Sequence, residues 1–117
     1  MRALKNNYIA ILRIELNDLL TDLEKLIEEC SKGHQTGMIS ENVLMQNLAV
    51  FKNEILGVHR FQRILDNIHA QEYERLDDMI EDIRLKFHAL IHDHGLADAI
   101  QIYIDRKLLK VERYVKQ

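Results

Sequence analysis

Between Asp66 and Glu72 the chain reads DNIHAQE, and the apolar spacing that runs through the residues before it stops there. Ahead of this gap Leu44, Leu48, Phe51, Ile55, Val58 and Leu65 recur at helical steps, as in a helix that buries one stripe of side chains. Carrying that frame onward would place Gln62, His69 and Glu72 inside. Beyond the gap a second stripe, Tyr73, Leu76, Ile80, Ile83, Phe87 and Leu90, starts about one residue out of step. A single helix from 41 to 94 would be about 80 Å long at 1.5 Å per residue. The sequence therefore predicts two helices, about 41 to 67 and about 71 to 93, although neither Gly nor Pro stands at the break. The alternative architecture keeps 41 to 94 as one helix, in long helical hairpins that form an elongated dimer.

Working outward, Leu12, Leu16, Leu19, Leu23, Leu26 and Cys30 alternate steps of four and three, which predicts a first helix over about 3 to 31. SKGHQTGMIS then supplies two glycines and predicts a loop over about 32 to 39. Ser40 is the expected N-cap of the next helix, with Glu41 favourable in its first turn. Gly95 is placed to end the third helix in the left-handed conformation, with His92 and His94 near the carbonyl end. Ile100, Ile104, Leu108, Val111 and Val115 predict a fourth helix from about Leu96 to Val115. Four helices with short links predict an all-α fold, an antiparallel up-down-up-down four-helix bundle.

Length and composition fit this reading. The 117 residues predict one domain over 1–117. At 47% apolar and 30% charged, the chain is too apolar for disorder and too charged for a membrane protein. Its longest apolar run, Tyr8 to Leu12, is far short of the roughly 20 residues a span needs. Arg13, Glu15 and Asp18 interrupt the N-terminal segment where a signal peptide needs an apolar core. Cys30 is the one cysteine, so no intrachain disulfide or thiolate zinc cluster can form. A cytoplasmic protein with an inert core thiol is the expectation.

The segment FHALIHDHG, residues 87 to 95, carries the nearest thing to a chemical signature. His88 and His92 are spaced i, i+4 and could share one ion, but catalytic zinc sites take three protein ligands and structural ones four. The level map of the predicted bundle offers Asp18, Asp22 and Asp98 as further ligands, all off their own seams. Neither the inward Glu-x-x-His pairs of di-iron bundles nor HExxH occurs. His59 is expected at the level of Glu81, and Asp66 with His69 reads as turn polarity. No Gly-x-Ser-x-Gly, P-loop or dinucleotide fingerprint is present. The sequence thus predicts no cofactor and gives no residue a catalytic role.

Charge is uneven although the net is only −3. Glu74, Asp78, Glu81 and Asp82 share the outer face of the third helix, where like charges at i, i+4 cost a few tenths of a kcal/mol each. The level map sets them beside Arg106, Lys107, Lys110 and Arg113 of the fourth helix, predicting a charged hairpin. Those same bases, interleaved with Tyr114, suggest a nucleic-acid contact. Asp105, Glu112, the acidic net charge and the lack of a stacking platform argue against it.

Apolar residues off the seams carry more information. Leu4, Ile11 and Ile14 face outward in the frame of the first helix, and Ile102 and Leu109 do so in the fourth. Ile14 and Leu109 map to one level of adjacent helices, a contiguous patch of the kind that marks a protein contact. The sequence therefore predicts a non-catalytic helical interaction module that self-associates, as a dimer, through the outer faces of its first and fourth helices, or else binds a helical protein partner. The alternative is a metal-binding or metalloenzyme bundle at His88 and His92. A third reading is a regulator that contacts nucleic acid through the fourth helix.

Overall fold

The computed structural model describes residues 3–95 and 98–117. They form four α-helices: α1 (Leu4–Gln35), α2 (Glu41–Asp66), α3 (Leu76–His94) and α4 (Asp98–Val115). No strand occurs among the described residues. The helices pack as a four-helix bundle, each against its chain neighbours and α1 against α4. Arg13 meets Asp66, Asn17 meets Gln62 and Cys30 meets Asn47; rising numbers meet falling ones, so α1 and α2 lie antiparallel. His88 with Asp105 and Asp77 with Lys116 do the same for α3 and α4.

The break in DNIHAQE is real, and one helix over 41 to 94 does not form. The Asn67 side chain donates to the Arg63 carbonyl, 3.1 Å, in the last turn of α2, and Arg13 holds Asp66 at 2.9 Å. Ile68 then turns into the core, and one 3-10 turn spans Ala70–Glu72. α3 begins at Leu76, later than the expected residue 71. Tyr73, expected to open its seam, is instead in the extended link, where its hydroxyl donates to Asp82 and its carbonyl accepts from the Lys5 ammonium.

Ser40 caps α2 as expected, its side chain accepting from the Val43 N–H at 3.2 Å. α1 overruns its expected end by a turn, because Gly33 stays helical and the reversal falls at Gly37, φ 79°. The Met38 N–H returns to the Gly33 carbonyl, 2.8 Å, and satisfies the helix end. Gly95, φ 61°, ends α3 with its N–H on the Ile91 carbonyl. The expected start of the fourth helix at Leu96 lies outside the described residues; α4 is described from Asp98.

The core gathers where all four helices run together. Tyr8, Leu12 and Leu16 of α1 meet Val58 and Phe61 of α2, Met79, Ile83 and Phe87 of α3, and Ile100 and Ile104 of α4. The rings of Phe61 and Phe87 pack edge to face, centroids 4.8 Å apart. The buried line of α2 is Glu54, Gly57, Val58, Phe61 and Leu65. It shares Val58 and Leu65 with the expected seam, whose other members Leu44, Leu48, Phe51 and Ile55 are only half-buried. The Tyr8 hydroxyl donates to the Leu108 carbonyl at 3.1 Å, tying α1 to α4. Burial holds that phenol far above its ordinary pKa, with Glu112 adding to the effect.

Helix length explains the half-burial. At 1.5 Å per residue α1 is about 48 Å long while α3 and α4 are each under about 30 Å. Gly57 faces Ile100 in the first turn of α4, so the N-terminal half of α2 and the C-terminal half of α1 run on beyond the bundle as a two-helix arm. There Leu26 is 40% exposed and Cys30 only half-buried, so the cysteine is not the core thiol expected. The overall dimensions, 55 × 30 × 19 Å, and the 16.6 Å radius of gyration record the arm; a compact chain of this length has a radius of about 13 Å. Among the described residues no helix is long and apolar enough to cross a membrane.

Candidate interaction surface

The outer sides of α1 and α4 meet along a groove of about 740 Å³. Ile14 stands on the outer side because Leu12 and Leu16, two residues to either side, are buried; two residues turn a helix by about 200°. Leu109 stands one step of about 100° round from buried Leu108. Ile14 is 59% exposed and Leu109 46%, and both line the groove together with Ile11 and Tyr114. Tyr114, which the sequence points out only for its place among the basic residues, flanks the apolar floor with an exposed ring.

Not all of the five expected outer residues point out. Leu4 and Ile11 are half-buried and pack on the core, because the apolar stripe of α1 is broader than its narrow seam and takes in Tyr8. Ile102 is 52% exposed; it lies seven residues before Leu109 and does not border the groove.

The groove has a basic wall from Arg106, Lys110 and Arg113, with Glu15 at its base. The Glu15 carboxylate takes Lys110 at 2.5 Å and Lys107 at 3.5 Å. The Lys110 hydrogen bond lowers the Glu15 pKa despite the opposing effect of burial, and Lys107 adds to the lowering. Reciprocally, Glu15 holds Lys110 above its ordinary value.

The charged hairpin is paired otherwise than expected. Glu81 takes Arg84 and Asp82 takes Lys86, both within α3, while Lys107 and Lys110 go to α1. Among the described residues no ion pair joins Glu74, Asp78, Glu81 or Asp82 to Arg106, Lys107, Lys110 or Arg113. The reason is rotation of α4, which turns Arg106, Lys110 and Arg113 toward α1 and presents Asp105 and Glu112 to α3. The α3–α4 contact is made by Asp77 with Lys116, 2.6 Å, and by His88 with Asp105, 3.0 Å.

His88 and His92 border a depression of about 310 Å³ with Asp98, but the Nε2 of His88 is engaged by both oxygens of Asp105. Asp18 and Asp22 of α1 do not line this depression. Among the described residues no group of three or more His, Cys, Asp or Glu side chains is arranged to hold a metal ion. His59 bonds Gln62 at 3.1 Å rather than Glu81, and Asp66 is held by Arg13, not His69.

No protein-family model, curated protein or solved structure matches the chain.

Proposed function

We propose that this chain is a non-catalytic helical interaction module that self-associates as a dimer through the outer faces of α1 and α4. The observation that carries this reading is the α1–α4 groove, in which Ile14, Leu109 and Tyr114 are exposed side by side. Apolar surface left in water costs about 25 cal/mol per Å², so a second copy laid over this floor gains what the monomer forgoes. A cytoplasmic setting belongs to the same reading and rests on the single cysteine. The metal reading at His88 and His92 draws less support, since Asp105 already occupies His88. The nucleic-acid reading is weakened by the ties of Lys107 and Lys110 to Glu15 and of Lys116 to Asp77 and Glu112.

Sedimentation equilibrium tests the proposal. The expected result is a dimer at micromolar concentration, shifted to folded monomer by Ile14→Glu and by Leu109→Glu. A wild type that stays monomeric at high concentration, with both variants indistinguishable from it, overturns self-association. A variant that unfolds instead places its residue in the core.

A further inference from the structure

Leu109 lines two grooves at once. On its α1 side stand Arg106, Lys110 and Arg113; on its α3 side stand Asp105 and Glu112, joined by Asp77 and Glu81 of α3. Ile102 and Leu109 therefore form an exposed apolar crest along α4 with a basic flank to one side and an acidic flank to the other. The acidic flank is partly neutralised by Arg84 and Lys116. On the basic flank Glu15 engages Lys110, while Arg106 and Arg113 have no ion-pair partner among the described residues.

The crest and its flanks restrict how a second copy can sit. A two-fold contact joins one surface to itself, so its axis lies in the contact plane. An axis across α4 sets each flank against its own kind, basic on basic and acidic on acidic. An axis along α4 exchanges the sides, and each basic flank then faces the partner's acidic flank. Like charges brought together at an interface oppose association, and opposite charges fix the register.

We infer that two copies dock crest to crest with their α4 helices parallel, about a two-fold axis that runs along α4. This inference rests on the self-association reading above and adds the partner's orientation, in which the α1–α4 groove of each copy is covered by the α3–α4 side of the other. Ile102 and Leu109 each meet their own counterpart. Arg106 and Arg113 of each copy face the acidic flank of the other, and both flanks are satisfied at once.

Charge exchange tests it. One variant carries Arg106→Glu with Arg113→Glu, the other Glu81→Lys with Glu112→Lys. Each alone is expected to weaken the homodimer by about tenfold or more through repulsion on both sides, and their mixture is expected to restore a one-to-one heterodimer. The wild-type dimer is expected to weaken as salt rises from about 50 to about 500 mM. A dimer that tightens with salt, or that ignores both salt and the variants, overturns the orientation while leaving self-association standing. The absence of any wild-type dimer overturns the reading beneath it. Should a charge variant fail to fold, cysteine crosslinking in a Cys30→Ser background decides the question. With parallel α4 helices, Ile102→Cys and Leu109→Cys each crosslink to themselves; an axis across α4 yields crosslinks between the two variants instead.

Discussion

Glu15 illustrates what a single side chain does in this bundle. Its carboxylate lies under the groove wall and is held ionised chiefly by Lys110, with Lys107 assisting. A depressed folded pKa means that the ionised form favours the fold. That contribution is fully present above the ordinary glutamate value of about 4.3 and is lost as pH falls through the lower folded value. Glu15→Gln is therefore expected to lower the melting temperature at neutral pH, with the gap to wild type closing below about pH 4. A gap unchanged from pH 7 to pH 3 in thermal melts sinks the account. Asp77 and Asp82 are depressed in the same direction, so the difference between the two proteins is the informative quantity. The sequence places Ile14 and Leu109 at one level of α1 and α4, and Glu15 and Lys110 are their chain neighbours; the ion pair itself was not legible, because it depends on how far each helix is rotated about its axis. His88 shows a milder failure. Of the three aspartates the sequence sets near His88 and His92, Asp98 does border the same depression while Asp18 and Asp22 do not, but the side chain bonded to His88 is Asp105, seven residues on along the same face of α4. The face was readable from periodicity; the level, which depends on helix tilt and on the α3–α4 connection, was not.

At the scale of elements, the glycines divide by what surrounds them. A Cβ built on Gly57 comes within 3.0 Å of Ile100 Cγ1 and 3.4 Å of Cγ2. Ile100 is fully buried, and both of those branch atoms sit directly on its Cβ, with no flexible end to swing away. Gly57→Ala is therefore expected to destabilise by roughly 1 to 2 kcal/mol, overpacking outweighing the gain in helix propensity. Gly33 meets Ile39 at an ordinary 3.5 Å, and Gly33→Ala is expected to stabilise by about 0.5 to 1 kcal/mol. Urea denaturation of both variants checks the pair, and opposite signs are the result required. The sequence offered Gly33 and Gly37 as equal helix breakers, and only hydrogen bonding across the turn separated them. The α2 seam was misjudged for a related reason. Alternating steps through Leu44 and Leu48 locate the stripe facing α1, whereas Phe61 and Gly57 face α3 and α4, which reach only the second half of α2. One helix with two sets of neighbours has two frames, and a single periodic fit cannot carry both.

Taken whole, the molecule is a short bundle with a long arm. The bundle was readable because each of its helices carries an apolar stripe, and because glycines mark the ends of α1 and α3 while a loss of register marks the end of α2. The arm was hidden because its residues obey the same pattern and differ only in having nothing further to pack on. Amides of α1 beyond Leu26 and of α2 before Phe51 are expected to exchange with solvent at least about tenfold faster than those around Leu12 and Phe61, since few buried contacts oppose their opening. Uniform protection along α1 in hydrogen exchange would refute this. The close approach of Gly57 to Ile100 acquires a mechanical meaning here. It lies where the arm leaves the bundle and is the point about which any tilt of the arm would turn, with about 24 Å of α2 reaching from it toward the Gly37 turn. A tilt of about 10° there carries the tip through about 4 Å.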